Sequence, residues 1–142
     1  SLRPNPDNIG NIFKNCSLKE AEVLESNISG CDFTGADFTG TVFKYGGLEK
    51  NEMADTSLNH TSFVSMRMVD MVFSSTAENC FLENCSFTRV RFENATLLNT
   101  FFKGNRKLNR ISFINCKADR MTYEFLKQGK ADLTGISLIV QP

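Results

Sequence analysis

Apolar residues recur at every fifth position through the first half of the chain. The register begins at Phe13 and continues without exception to Phe73, which makes thirteen apolar positions in one phase. Because the overall apolar content is 41%, the chance of such a run in a given phase is roughly 10⁻⁵, so the pattern reflects structure. The positions are Phe13, Leu18, Val23, Ile28, Phe33, Phe38, Phe43, Leu48, Met53, Leu58, Phe63, Met68 and Phe73.

The period continues beyond Phe73 after two shifts of phase. One residue is lost before the register resumes at Ala77, and one is gained before it resumes at Leu108 and runs on to Leu138. These shifts predict corner adjustments or small loops, with a visible bulge over residues 104–107. Ten of the 13 phenylalanines lie in the register, and the three outside it are Phe81, Phe101 and Phe125.

A second column, two residues before each apolar position, carries mainly small or weakly polar side chains. A period of five matches neither an α-helix, with 3.6 residues per turn, nor a strand, with a repeat of 2. It matches a coil that turns a corner every five residues and places one large and one small side chain inside each side. All five cysteines fall in the second column: Cys16, Cys31, Cys80, Cys85 and Cys116.

Three segments show the repeat in its clearest form. Residues 31–35 read CDFTG, residues 36–40 read ADFTG and residues 131–135 read ADLTG. These segments resemble the consensus of the pentapeptide-repeat protein family. The resemblance implies an all-β fold, a right-handed quadrilateral parallel β-helix of about six coils stacked at ~4.8 Å. We expect residues 1–10 to form an N-terminal leader or cap and residues 11–140 to form the β-helix.

Residues 119–129 depart most from the repeat. Gln128 takes a central position, the segment is rich in helix-forming residues, and Gly129 is a stop signal for a helix. The segment is either a short C-terminal capping helix or a continued coil. If it is a helix, residues 131–135 return to the stack as its last sides.

Composition leaves little material for catalysis. The 142 residues fit one domain, and a net charge of zero disfavours a strongly basic nucleic-acid binder or an acidic DNA mimic. No apolar run is long enough for a transmembrane segment. The cysteines are interpreted as buried free thiols, and the single histidine, His60, falls at an outward corner. We therefore predict no enzyme activity, no cofactor and no metal. For the localisation of the protein, unpaired buried cysteines favour the cytoplasm, and a secreted effector is the alternative.

Assuming twenty residues per coil, basic residues gather on one side of the coil, the side centred on Ile28 and Leu48. Only Glu49 and Asp70 offset them there, while acidic residues gather on the side of Phe33 and Phe73. This candidate basic face would take an acidic partner, RNA or phospholipid headgroups, although the absence of interleaved aromatics disfavours nucleic acid. Chance sorting on a solvated surface is the alternative. The candidate basic face comprises Lys50, Arg67, Arg89, Lys107, Arg110, Lys127 and Lys130.

A third side carries apolar residues at outward positions, and we call this set the apolar stripe. Phe81 and Phe101 are twenty residues apart and should therefore stack one coil above the other. An outward apolar stripe on a solenoid indicates contact with a protein partner, a second copy or another domain. The alternative is that a terminal helix or the leader covers it. The stripe comprises Leu24, Val42, Tyr45, Val64, Phe81 and Phe101.

These patterns together predict a non-catalytic protein-interaction scaffold or recognition domain, part of a larger protein. The partner is expected to be a protein or a second copy bound through the apolar stripe. The resemblance implies two alternatives. One is the substrate-recognition domain of a secreted bacterial effector such as a HECT-like ubiquitin ligase. The other is a topoisomerase-binding DNA mimic, which the zero net charge disfavours.

Overall fold

Each strand pairs in parallel with the strand one coil later. Ile28 lies opposite Leu48, twenty residues later, and Phe43 lies opposite Phe63. The computed structural model describes residues 7–140, and these contain 18 strands, one 3₁₀ turn and one α-helix. In chain order the elements are β1 (Asp7–Ile9), β2 (Glu22–Leu24), β3 (Asn27–Ser29), β4 (Val42–Lys44), β5 (Gly47–Glu49), β6 (Leu58–Asn59), β7 (Ser62–Val64), β8 (Arg67–Val69), β9 (Val72–Phe73), β10 (Ala77–Glu78), β11 (Phe81–Glu83), β12 (Ser86–Thr88), β13 (Val90–Glu93), β14 (Thr96–Leu98), β15 (Phe101–Lys103), the 3₁₀ turn (Leu108–Arg110), β16 (Ile111–Ile114), β17 (Cys116–Ala118), α1 (Arg120–Gln128) and β18 (Ile136–Leu138).

The strands form four parallel sheets, which are the four sides of the coil. Side A contains β1, β3, β5, β8 and β12, and side B contains β9, β13 and β16. Side C contains β6, β10, β14, β17 and β18, and side D contains β2, β4, β7, β11 and β15. Single bridges, such as those from Ile12 through Asp32 to Glu52, extend sides B and C towards the N-terminal end. The right-handed quadrilateral β-helix that the resemblance implies is confirmed.

The first shift of phase is a shortened corner. In the regular coil the residue two positions after each central apolar residue has a positive φ, but none of residues 71–78 does. The coil loses one residue there, so Phe73 pairs with Phe92, nineteen residues later. The corner between sides B and C is therefore made without a left-handed residue at this level.

The second shift is an inserted residue, which confirms the bulge expected over residues 104–107. Lys107 has a φ of 63° and lies directly before the 3₁₀ turn, whose Leu108 is buried. The coil gains one residue, so Phe92 pairs with Phe113, twenty-one residues later. Because of the inserted residue, Leu108 occupies the central, inward position on side A.

The regular corners store backbone strain. Seventeen non-glycine residues and five glycines among the described residues have φ values between 47° and 74°. The left-handed conformation costs an L-residue roughly 1–2 kcal/mol, and asparagine is one of the few residues that visits it routinely. Six of the seventeen are asparagines: Asn15, Asn79, Asn84, Asn94, Asn99 and Asn115. Pairing with neighbouring coils must offset this cost at the other corners.

The central residues form a continuous core of stacked rings. Phe43 and Phe63 stack with centroids 5.2 Å apart and planes 3° apart. On side B, Phe92 stacks on Phe73 at 5.0 Å and on Phe113 at 5.4 Å. Because neighbouring coils repeat the same residue at the same position, the phenylalanine excess is an internal ladder, as the register predicts.

Second-column side chains do more than fill space, and this was not foreseen from the sequence. The Thr61 hydroxyl donates to the Phe38 carbonyl at 2.7 Å, and the Cys85 thiol donates to the Phe63 carbonyl at 3.2 Å. Each of these carbonyls belongs to a central residue of the coil below, and the second column supplies it with a side-chain donor. The same bond is made by Thr41, Thr100, Cys80 and Cys116.

One cysteine corrects the expectation of buried thiols. Cys31, Cys80, Cys85 and Cys116 are buried, but Cys16 is exposed. Cys16 lies in the first described coil, and no described coil lies below it to cover its side chain. The expectation of five buried thiols therefore fails at the open end, where the repeat places a residue inward but no lower neighbour buries it.

The C-terminal segment is a helix followed by a return to the stack. α1 begins after Asp119, whose carboxylate accepts a hydrogen bond from the Thr122 N–H, and Gly129 follows its last turn. β18 then pairs with β17, placing Ile136 opposite Cys116. The capping helix is thus confirmed against the continued coil. At the other end, β1 pairs on side A within the expected leader of residues 1–10, and residues 1–6 lie outside the described residues, so that boundary stays a prediction.

Candidate interaction surfaces

The apolar stripe runs along the outer surface of side D. Each strand of this side points its central residue inward, as Phe43 does in β4, and its two flanking residues outward. Val42 and Phe101 precede central residues, whereas Leu24 and Val64 follow them, so the stripe zigzags between two outward columns. Five of its members are half-buried, and Tyr45 is 57% exposed at a corner. The structure therefore brings together the residues that the sequence assigned to the stripe.

Aromatic rings stack along the upper part of the stripe. Phe81 lies opposite Phe101 in the parallel register, and their ring centroids are 5.4 Å apart. Phe125 of α1 continues the column, with its ring centroid 5.2 Å from that of Phe101. The three phenylalanines outside the five-residue register thus form a second, outer column of rings. The sequence could have pointed to Phe125 as a member of this column, because it is the third phenylalanine outside the register and lies in a helix-forming segment.

α1 is anchored at the upper end of side D by side-chain hydrogen bonds. The Asp119 carboxylate accepts from the Asn99 N–H at 2.8 Å, and the Thr122 hydroxyl accepts from the Thr100 N–H at 3.0 Å. Leu126 has no exposed surface and belongs to the core cluster. The helix therefore covers the stripe at β15, whereas the strands below it keep their outer surface. The covering helix that the sequence offered as an alternative thus occupies only one end of the stripe.

The lower end of the stripe lines an open cleft of about 410 Å³. Lys44 places its ammonium 5.0 Å from the centroid of the Tyr45 ring, a cation–π distance. Acidic and basic side chains border the apolar ones here, as at the rim of protein interfaces. The lining residues are Glu22, Leu24, Glu25, Val42, Lys44 and Tyr45.

The lower half of the candidate basic face is neutralised by neighbouring carboxylates. Arg89 donates two hydrogen bonds to Asp70, at 2.5 and 3.1 Å, and Arg67 lies 3.9 Å from Glu49. The Arg89 hydrogen bond, and then the charges of Arg89 and Lys50, hold the pKa of Asp70 below its ordinary value. These two acids are the ones that the sequence placed on the same side.

The upper half of the candidate basic face leaves the strands of side A. Lys107 and Arg110 lie at the 3₁₀ turn, Lys127 lies in the last turn of α1, and Lys130 follows it. All four are exposed. The structure therefore divides the seven residues of this face into a strand-borne group and a group at the C-terminal end.

Acidic residues on side B serve the backbone or pair with cations. Asp32 and Asp132 on side B, and Asp37 on side C, each accept hydrogen bonds from the hydroxyl and the backbone N–H of the threonine two residues later, as is typical of aspartates at turns. These bonds, the hydroxyl's first, lower the pKa of each carboxyl. Glu93 accepts from Arg91 at 3.1 Å. Side B is thus not an uninterrupted acidic surface.

The described residues offer few reactive groups. Burial raises the pKa of the Cys85 thiol to about 11 and also raises that of Cys80, so both are neutral at physiological pH. His60 is exposed at a left-handed corner. Within residues 7–140 no three histidine, cysteine or acidic side chains are grouped as metal ligands would be. Nor does this part of the chain contain a helix with the length and apolar character that crossing a membrane requires.

Comparison with known proteins matches part of the chain to a family. Residues 13–44 match the family model of pentapeptide repeats, with 8 copies. The full-length structure of QnrB1, a plasmid-mediated fluoroquinolone resistance protein, is similar at 13% identity and a TM-score of 0.43, covering 94% of this chain and 94% of that chain. A trypsin-treated form of QnrB1 gives 12% identity and a TM-score of 0.40, covering 95% of this chain and 90% of that chain. At these TM-scores the likeness carries no argument about function. No curated protein sequence matches the chain.

Proposed function

We propose that this chain, which is a pentapeptide-repeat protein, is a non-catalytic scaffold that binds a protein partner through the apolar stripe. The observation that carries the proposal is the outer column of rings on side D. Phe81 and Phe101 stack outside the core and both remain half-buried, although Phe125 of α1 packs against Phe101. Large aromatic side chains on a surface are enriched where proteins bind one another.

The backbone of side D makes the stripe a preorganised surface. Its strands are hydrogen-bonded in parallel, so successive outward side chains stand ~4.8 Å apart along the coil axis. A partner therefore meets a fixed row of apolar groups and does not have to order them, which lowers the entropic cost of binding. This supports a scaffold whose rigidity is part of its function.

The reactive residues have structural roles, and this supports the non-catalytic part of the proposal. The buried thiols donate hydrogen bonds to backbone carbonyls, and the aspartates at the turns accept them. The proposal includes the case in which these coils are the recognition domain of a larger protein, so that any catalysis lies outside residues 7–140.

A DNA mimic is a weaker proposal for this chain. Such a protein needs a continuous negative surface, but Lys14 lies 3.5 Å from Asp32 and Arg91 lies 3.1 Å from Glu93 on the acidic side. Side A carries cations. A DNA gyrase supercoiling assay that showed inhibition by this protein would favour the mimic.

The test compares two sets of outward apolar residues. The double variant Phe81→Ser and Phe101→Ser removes the rings of the stripe, and Ile114→Ser removes an apolar side chain of side B that is 48% exposed. We expect proteins captured by the wild type to be lost with the double variant and retained with Ile114→Ser. Light scattering measures self-association in the same three proteins, and circular dichroism checks that each is folded.

Two outcomes would overturn the proposal. One is that the folded double variant captures the same proteins and has the same mass as the wild type. The other is that Ile114→Ser loses the same partners, because the stripe would then have no special role.

A further inference from the structure

Five exposed cations stand together at the C-terminal end of side A, and we call them the cationic cap. Four belong to the candidate basic face. The fifth, Arg106, forms a parallel bridge with Ser86 of β12 and so continues side A by one level. Among the described residues, no ion pair joins any of the five to a carboxylate. The cationic cap comprises Arg106, Lys107, Arg110, Lys127 and Lys130.

Packing brings the two segments of the cap together. Gly129 lies so close to Leu108 that a Cβ on the glycine would overlap the leucine Cδ1. Lys107 directly precedes Leu108 and Arg110 ends the 3₁₀ turn. Lys127 lies in the last turn of α1, and Lys130 directly follows Gly129. The cap is therefore a single surface built from two elements that touch.

A ladder of stacked corner residues shows that this surface lacks an anionic partner. The register stacks Asp70 above Lys50, Arg89 above Asp70 and Arg110 above Arg89. Asp70 lies between two cations and binds Arg89 through both carboxylate oxygens. Arg110 has an arginine beneath it where Arg89 has a carboxylate. The ladder thus ends on a cation without an anionic partner.

Local structural roles account for little of this charge. A lysine in the last turn of a helix is stabilised by the helix dipole, and this explains Lys127 alone. Two of the nearby carboxylates are already engaged, since Asp119 accepts from backbone N–H groups and Asp132 accepts from Thr134, while Glu124 of α1 makes no ion pair with the cap among the described residues. Four cations remain for which the described residues give no partner or structural role.

We propose that the cationic cap binds an acidic polypeptide segment, with its carboxylates on Arg110 and the neighbouring cations. Carboxylate is the group that the same corner ladder already binds through two oxygens at Arg89, and such bidentate pairs are the strong ones. No exposed large apolar residue of the described chain belongs to the cap, and the nearest ring that reaches its surface, Phe125, is half-buried, so the cap offers no fully exposed ring for base stacking and no anchor for a bilayer. This proposal is independent of the apolar stripe on side D.

The experiment uses a fluorescein-labelled peptide of about ten glutamates as the probe and fluorescence anisotropy as the measurement. We expect saturable binding that weakens at least tenfold between about 50 and 300 mM NaCl, because screening shortens the reach of exposed charges. Charge reversal by Lys107→Glu and Arg110→Glu should weaken binding at least tenfold. A second pair, Lys127→Glu and Lys130→Glu, should do the same from a different element.

The matched control changes the same number of charges on the opposite side of the coil. Lys19→Glu and Lys117→Glu replace two exposed lysines of side C and should change binding less than about threefold at 300 mM NaCl. No binding of the peptide, or an equal loss in the control, would overturn the proposal. Tighter binding of a ten-nucleotide oligothymidine or of phosphatidylserine vesicles would overturn it in favour of nucleic acid or membrane.

Discussion

The two ends of the coil differ in how far another element covers the outermost level. At the first described level Ile9 and Ile12 are 72% and 75% exposed, and the central residue Leu18 is only half-buried. At the other end α1 packs on β15 and its Leu126 is fully buried, so side D is covered there, although Leu133 and Leu138 of the last sides are half-buried. The same five-residue repeat therefore gives a closed core only where a neighbour lies on both sides of a level.

This difference follows from how a solenoid is stabilised. Each coil contacts only the coils before and after it, so a residue's burial depends on its level as well as its place in the repeat. Cys16 and Cys85 hold the same repeat position, yet only Cys85 is buried. The two ends should therefore respond differently to substitution.

The largest effect is expected from removing the helix contact. Leu126→Ala should lower the free energy of unfolding by about 3 kcal/mol, because a fully buried leucine leaves a cavity. Leu18→Ala at the open end should cost roughly 1 kcal/mol, because part of its surface already faces solvent. Urea unfolding followed by circular dichroism measures both. Equal costs would mean that the open end is covered in solution.

The second effect is a loss of stability at high pH. Burial raises the pKa of Cys85 from 9.0 to about 11, so the folded protein holds a proton that the unfolded chain releases. Its contribution is present below pH 9 and is lost as the pH rises to about 11, amounting to ~2–3 kcal/mol. Cys85→Ser should flatten the fall of stability across this range relative to the wild type. An identical pH slope in the wild type and in Cys85→Ser would contradict the prediction.

Much of the fold was predictable because the repeat is a local signal. Every level repeats the same inward apolar position, so the period indicated a coil with a corner every five residues, while the family resemblance implied its four sides. The inserted residue at Lys107 appeared as a shift of phase. The stacking of Phe81 on Phe101 was also predictable, because twenty residues make one coil. These features depend on spacing, which a single sequence displays.

Other features depend on neighbours in space and were missed. The exposure of Cys16 follows from the absence of a described coil below it, and Phe125 reaches the stripe only because α1 folds back on β15. The division of the candidate basic face follows from which levels carry Glu49 and Asp70. The five-residue spacing places Glu49 and Asp70 on side A, but only the structure shows which cations bind them.

The third effect concerns the donors of the second column. Thr61→Val should cost about 1 kcal/mol, because it keeps the shape of the side chain but removes the hydroxyl donor of the buried Phe38 carbonyl, which then accepts only from the Thr41 N–H. Thr61→Ser keeps the donor and should cost less. At the open end Cys16→Val should change stability by less than about 0.5 kcal/mol. Thermal unfolding compares the three, and a neutral Thr61→Val would show that the Thr41 N–H alone satisfies the Phe38 carbonyl.

The smallest effect concerns the strain stored at corners. Gly30 has a φ of 63° with no heavy atom closer than 3.9 Å to an added Cβ, so Gly30→Ala tests the left-handed conformation without a clash and should cost about 1 kcal/mol. His60 has a φ of 56° at a later corner, and His60→Gly should gain about 0.5 kcal/mol, since relief of strain exceeds the added entropy of the unfolded chain. Unfolding midpoints in urea measure both changes. A neutral Gly30→Ala beside a stabilising His60→Gly would show that the corner near the open end relaxes in solution, because strain persists only where coils on both sides hold the backbone.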